Sequence, residues 1–227
     1  MAFLLHIETS ASNCSVCVSE NEHLLTCVEL NQDNIHAEKL IPFCDEALLQ
    51  ASLKYSDLHA ISVSSGPGSY TGLRIGVSAA KGFCYTLDIP LIAVPTLEAL
   101  AQGMSTRSDN SELLIPMIDA RRMEVYAAVY NKQLQLLHDA RPIVVTENQF
   151  QEFTYGKQVA FGGDGMPKCK SLLADHNHAY FCDNISQSAK HLIAPAYRRF
   201  VNKEFADVAY FEPFYLKTFQ PGPKRSS

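Results

Sequence analysis

Apolar and polar positions alternate in three short runs at the start of the chain, Phe3 to Thr9, Ser15 to Ser19 and Leu24 to Leu30. Ser10-Ala11-Ser12-Asn13 and Glu20 to His23 part them, so the pattern predicts three strands joined as consecutive hairpins. From Ile35 to Leu53 the period lengthens. Leu40, Cys44, Ala47, Leu48 and Ala51 recur at three and four residues, which predicts an amphipathic helix with Asn34 as its cap and a kink in its first turns at Pro42. Ala60 to Ser64 reads as a short buried strand and Gly66-Pro67-Gly68-Ser69 as a turn. Tyr70 to Leu87 reads as a helix, Pro90 to Pro95 as a strand, and Thr96 as the cap of a helix carrying Leu97 and Leu100. The polar stretch Gln102 to Glu112 is then the best linker.

Beyond the linker the order of elements returns. Leu113 to Asp119, Glu124 to Tyr130, and Leu134 to His138 with Ile143 to Thr146 predict three strands. A helix near Glu147 to Phe153, a strand Val159 to Phe161, a turn Gly162-Gly163-Asp164-Gly165, a helix near Lys168 to Ala174, a strand Ala179 to Cys182 and a helix Ser188 to Asn202 follow. The first strand of each half ends in a carboxylate, Glu8 and Asp119. Their spacing of 111 residues is close to half of the 227-residue chain. This predicts an α/β protein of the actin-like ATPase (ASKHA) fold, two duplicated lobes each with a mixed sheet and helical crossovers. The expected division is residues 1–105 and 106–227, with the final helix packing back on the first lobe and a disordered tail, 221–227. Two unrelated α/β domains are the alternative.

Composition narrows the classes. Hydrophobic residues make up 47% and charged ones 19%, enough apolar material for a sizeable core. Acidic residues, 24 against 19 basic, leave a net charge of −5, which argues against binding nucleic acid by charge alone. No apolar run is long enough to cross a membrane. The start, Met1 to Glu8, lacks a basic region and is broken by His6 and Glu8, so it reads as a strand and not as a signal peptide. Seven scattered cysteines, several inside apolar runs, fit a reducing, cytoplasmic compartment.

Three segments carry candidate chemistry. In Gly66 to Gly76, two glycines and a proline shape a turn, and Ser69 or Thr71 caps the helix behind it, where exposed amides could receive an anion. The spacing is neither that of a P-loop nor of a dinucleotide fingerprint. Gly72, Gly76 and Ala80 give that helix a bare face that demands close packing. Either a helix of the same domain or a partner's helix can supply it, with Arg74 alongside for polar specificity. On the earlier helix, His36 lacks the second histidine that a metal pair needs, because Leu40 stands one turn on. Cys14 and Cys17 form a Cys-x-x-Cys without a second pair, and strand alternation puts them on opposite faces. Arg198, Arg199 and Lys203, with Lys217, Lys224 and Arg225 in the tail, form a basic cluster that reads as a solvated face.

Ile7-Glu8-Thr9, His36-Ala37-Glu38-Lys39-Leu40-Ile41-Pro42, Gly66 to Gly76, Ile118-Asp119-Ala120-Arg121 with Glu124-Val125-Tyr126, and Pro213-Phe214-Tyr215-Leu216-Lys217 closely resemble the TsaB (YeaZ) family, over nearly the whole chain. Glu8 replaces the family's usual aspartate, Tyr70 its phenylalanine, Met123 a glycine and Lys217 an arginine. The resemblance implies a non-catalytic subunit, without a metal site or intrinsic cofactor, that supports N6-threonylcarbamoyladenosine modification of tRNA. It implies docking on a TsaD-like catalytic subunit through His36, Leu40, Tyr70, Gly72, Leu73, Arg74, Gly76, Val77 and Ala80. Glu8, Asp119 and Arg121 would face a nucleotide weakly, with ATP or ADP bound only within the assembled complex. A TsaE-like ATPase as a further partner, a homodimer when alone, and tRNA contact only through the complex complete the expectation. The competing readings are a stand-alone actin-like ATPase or metalloprotease-like enzyme, and a homodimeric regulator.

Overall fold

The computed structural model describes residues 1–108, 110–147, 149–174 and 178–217, so the expected disorder of 221–227 lies outside the described residues. Its first sheet begins with the three predicted hairpin strands, β1 (Phe3–Glu8), β2 (Asn13–Glu20) and β3 (His23–Asn31). Helix α1 (His36–Gln50), strand β4 (Ala60–Ser64), helix α2 (Tyr70–Leu87), strand β5 (Leu91–Val94) and helix α3 (Thr96–Ser105) follow. The sheet order is β3-β2-β1-β4-β5, antiparallel through the hairpins and parallel across β1, β4 and β5.

The second sheet repeats this order with β6 (Leu113–Asp119), β7 (Glu124–Asn131), β8 (Leu136–Val144), β9 (Val159–Gly162) and β10 (Ala179–Cys182), arranged β10-β9-β6-β7-β8. Between its strands lie α4 (Gln151–Thr154) and α5 (Lys170–Leu173), each a single turn where longer helices were expected. A 3-10 turn, Ala189–Leu192, leads into α6 (Ile193–Asn202). Two mixed sheets of the same order, each with helical crossovers, constitute the actin-like fold.

Strand alternation sorts the side chains. On the first sheet Leu5, Ile7, Val16, Val18, Ile61 and Val63 face α1 and α2, which lie side by side on one face. Leu4, Ala60, Ile92 and Val94 point the other way, onto Ala99 of α3 and Leu192 and Ala196 near α6. Helix α3 is wedged between the sheets, because Leu97, Leu100, Ala101 and Met104 pack on Leu114, Ile118 and Ala128 of the second sheet. Such a helix must be apolar on nearly every side. Here the linker reading needs correction: Gln102 to Ser105 belong to α3, and Gly103 lies against the His191 ring, where a Cβ would come within 2.5 Å.

Two caps also differ from expectation. Asn34 precedes Ile35 at the N-terminus of α1, has φ +62° and makes no side-chain cap there. Thr96 does not cap α3 but uses Oγ1 to accept the Gly66 amide at 3.1 Å, tying the turn after β4 to the start of α3. No helix among the described residues is long and apolar enough to cross a membrane.

Candidate functional site

The C-terminal ends of β1, β4, β6 and β9 converge on the space between the sheets, the place where open α/β sheets build their sites. Each carboxylate named from the sequence sits at its strand end. Glu8 is 1% exposed, and its Oε1 accepts from the Ser10 amide at 2.6 Å and from Ser64 Oγ at 2.9 Å. Asp119 is exposed; its Oδ1 accepts from the Arg121 amide at 2.8 Å and pairs with Lys168. The same strand-end turn is thus built twice, with a carboxylate accepting the amide two residues on.

Burial pushes the Glu8 carboxyl above its ordinary range; hydrogen bonds from Ser10 and Ser64 oppose this, and the nearby Asp164 charge adds to it. Asp164 is also raised by desolvation, although its side chain keeps access to the cleft. It accepts from Gln187 Nε2 at 2.9 Å and from the Asp119 amide at 3.2 Å. Gln187 in turn accepts Asn13 Nδ2 at 2.8 Å on its backbone carbonyl, so Glu8, Asn13, Asp164 and Gln187 form one interlobe cluster. Glu8 Oε2, Ser10 Oγ, Asn13 Oδ1 and Gln187 Oε1 are buried without a hydrogen-bond partner among the described residues. Of this cluster only Glu8 was named from the sequence. Asp164 was visible as the polar member of a glycine turn, whereas Asn13 and Gln187, 174 residues apart, carry no local signal.

The glycine segment is spent on the protein's own backbone. A Cβ on Gly72 would come within 2.0 Å of the Thr9 carbonyl, one on Gly68 within 2.5 Å of the Ser10 carbonyl, and one on Gly76 within 2.2 Å of Thr9 Oγ1. Thr9 Oγ1 donates to the Gly72 carbonyl, and Ser69 donates its amide to the Ser10 carbonyl at 2.7 Å. Ser69 caps α2 by accepting the Gly72 amide at 3.3 Å. A phosphate needs free amides at a helix N-terminus. Here the Ser10, Ser69 and Gly72 amides are already engaged, by Glu8 Oε1, the Ser10 carbonyl and Ser69 Oγ.

The partner surface named from the sequence also needs correction. His36, Leu40, Gly72, Leu73, Gly76, Val77 and Ala80 are all buried, because α1 and α2 turn those positions toward the first sheet. The bare stripe on α2 is filled by Thr9. Of the named set Tyr70 and Arg74 reach the surface: the Arg74 guanidinium lies 4.2 Å from the Tyr70 ring centroid, and Tyr70 tilts against Tyr215 at 4.7 Å. The outward faces of α1 and α2 present Ala37, Ile41 (44% exposed), Pro42, Thr71, Arg74 and Ser78.

A second concavity, of about 500 Å³, runs between the Ser65–Pro67 loop, the start of α3 and Tyr130 and Asp139 of the second sheet, with Phe214 along its rim. Glu98 at its margin is buried and holds Arg199 through two contacts, at 2.7 and 3.0 Å, and Arg198 at 2.6 Å. The reading of these arginines as a solvated face is corrected for Arg199, which ties α6 to α3. Met123 stands where a glycine was expected to supply unusual backbone, yet positive φ falls on Arg121 (+69°) and Arg122 (+48°).

The family model of TsaD, tRNA N6-adenosine threonylcarbamoyltransferase, matches residues 24–210. The tRNA threonylcarbamoyladenosine biosynthesis protein TsaB of Escherichia coli (strain K12) is 32% identical over 133 residues, 57% of this chain and 55% of that one. The chain thus spans about half the length of the first curated relatives it matches. The protein of that name from Bacillus subtilis (strain 168) is 30% identical over 219 residues, 94% of this chain and 93% of that one. The solved structure of YeaZ from Pseudomonas aeruginosa superposes with a TM-score of 0.81 at 25% identity, covering 95% of this chain and all of that one. With the repeated sheets, the strand-end carboxylates and this match along nearly the full length, the chain belongs to the TsaB (YeaZ) family and carries the TsaD family domain.

Proposed function

We propose that the protein supports N6-threonylcarbamoyladenosine formation on tRNA as a non-catalytic subunit that docks on a TsaD-like threonylcarbamoyltransferase. The observation that carries this reading is the state of the strand-end site in a chain of this family. Glu8 is buried at its strand end on Ser10 and Ser64, with the next residue, Thr9, packed on the α2 glycines, and Leu40 fills the helix position where a second histidine ligand would stand. The residues supply a scaffold and a surface. Docking uses the outward faces of α1 and α2, with the stacked Tyr70–Arg74 pair as its polar anchor and Ile41 as its apolar one; buried aromatic and arginine anchors dominate such contacts.

In the absence of the partner the same face joins two copies of this chain, an isologous use of one patch. ATP or ADP and a TsaE-like ATPase enter only with the assembled complex, tRNA is reached through it, and the compartment is the cytoplasm. The test is modification of tRNA from threonylcarbamoyl-adenylate by this chain, by its TsaD-like partner, and by both. Activity only in the mixture, with Arg74→Glu weakening the complex about tenfold or more while Tm is unchanged, supports the reading. Full activity of the partner alone, or turnover by this chain alone, overturns it.

A further inference from the structure

Strand pairing in the first sheet sets Cys17 of β2 directly opposite Cys27 of β3, with the two sulfurs 2.6 Å apart. A disulfide joins sulfurs at about 2.05 Å, and directly opposed strand residues have Cα separations within its reach, so no backbone rearrangement stands between this contact and a bond. The register slips between Val18 and Ser19, just beyond the pair, which leaves Leu25 of the edge strand β3 out of register. Cys14, Cys44, Cys84, Cys169 and Cys182 are buried, and Cys17 is buried as well. Cys27 alone of the seven is partly exposed.

The two thiols are unequal. Cys27 lies 3.9 Å from Ser15 Oγ and 3.8 Å from the Glu29 carboxylate, whose other oxygen is held by Lys190 at 2.7 Å. The hydrogen bond from Cys17 lowers the Cys27 thiol below its ordinary value; burial and Glu29 oppose this, and Lys190 assists. Burial and the bond to Cys27 push Cys17 up. A partly exposed, more acidic thiol beside a second thiol that can resolve its oxidised form is the arrangement of redox-responsive cysteines.

We propose that Cys17 and Cys27 form a thiol-oxidation site, which hydroperoxides convert into a reversible intrachain disulfide. The Cys27 thiolate attacks the peroxide oxygen, breaking the O–O bond. It becomes a sulfenic acid, and the leaving hydroxide takes up a proton as water. The Cys17 sulfur then displaces the sulfenic hydroxyl, its proton leaving with that hydroxyl as a second water, so two thiols are oxidised and one peroxide reduced. An excess of a small thiol reverses the bond by exchange. The site adjoins Ser188 and Lys190, which bind Glu29 and anchor the turn before α6, so oxidation occurs where the terminal helix meets the first sheet.

The experiment treats the full-length protein with hydrogen peroxide, alkylates the remaining thiols under denaturing conditions and maps the cysteines by mass spectrometry. The expected result is loss of two of the seven thiols as a Cys17–Cys27 linked peptide, restored by dithiothreitol. In Cys17→Ser, Cys27 should accumulate as a sulfenic acid trapped by dimedone; in Cys27→Ser the remaining thiols should stay reduced. Should these variants fail to fold, limited iodoacetamide on the native wild type gives the second reading. Cys27 should be alkylated about tenfold or more faster than any other cysteine. Seven intact thiols at a peroxide dose that oxidises free glutathione, a linkage between other cysteines, or uniform slow alkylation would each overturn the proposal.

Discussion

The turns after β1 and β6 begin alike and end in different chemistry. Both follow a central strand, both carry a carboxylate at the strand end, and in both that carboxylate accepts the amide two residues on. The first turn is covered by the start of α2, where Gly68 just before the helix and Gly72 within it admit the Ser10 and Thr9 backbone to contact and Gly76 admits the Thr9 side chain. Glu8 is consequently buried, and its carboxyl resists ionisation. Only the 3-10 turn Pro167–Cys169 and the single turn of α5 follow β9, the corresponding strand of the second lobe, and Asp119 stays at the surface on Lys168. What covers the turn, and not the turn itself, decides what its carboxylate can do.

The comparison is broken most forcefully by removing the cover's fit. Gly76→Leu drives a side chain into Thr9, and overpacking of this kind costs about 1–3 kcal/mol. At about 2–4 °C per kcal/mol in a domain of this size, Tm should fall by several degrees, measurable by calorimetry on the isolated chain. An unchanged Tm with a lost partner would return the stripe to the surface role inferred from the sequence.

A smaller effect follows from Glu8 itself. Its folded-state carboxyl lies above the unfolded value of about 4.5, so the folded protein binds more protons, and Glu8's contribution to stability is full below that value and lost as pH rises through the folded one. Glu8→Gln keeps an oxygen for Ser10 and Ser64 but cannot ionise. Relative to wild type, its Tm should improve progressively as the pH is raised from about 5 to 8. A constant difference across that range would mean that Glu8 is ionised in the fold.

How these contrasts could be read in the sequence depended on distance along the chain. Periodicity placed β4, α2, β6 and β10 at their observed bounds, because each is a strongly patterned run with a turn residue beside it. The same pattern named Glu8 and Asp119, since a strand end is a local feature. The burial of Gly72 and Gly76 was half legible: bare helix faces demand a neighbour, yet that the neighbour is Thr9, 63 residues away from Gly72, follows only from the pairing of β1 with β4. Asn13, Gln187, Glu98 and Arg199 come together over a hundred residues or more, and no local pattern encodes such a meeting. The linker was misplaced for a related reason, because Gln102 and Ser105 look like solvent positions until both sheets close on α3.

On the second turn the corresponding charge change should be weaker. Asp119→Asn retains an oxygen for the Arg121 amide and loses only the ion pair with Lys168, in which the Asp119 side chain is 48% exposed. Exposed pairs contribute under about 1 kcal/mol and are screened by salt. The Tm loss should therefore be a degree or two, and should vanish at about 1 M sodium chloride. A loss that persists in high salt would show that Asp119 is as enclosed as Glu8.

The smallest effect separates backbone from side chain in that same turn. Arg122 sits at φ +48°, where a side chain costs about 1 kcal/mol or more, whereas Met123 has no positive φ. Arg122→Gly relieves this strain but frees the unfolded chain by about 0.4–1 kcal/mol, so the two nearly cancel and Tm should stay level or rise slightly. Met123→Gly introduces the residue that the family resemblance implies yet gains no relief, so it carries only the entropic cost and should lower Tm by a degree or two. If Met123→Gly were instead the stabilising change, the demand for unusual backbone would lie at 123, and the turn after β6 would differ from the one after β1 in its backbone path as well as in its cover.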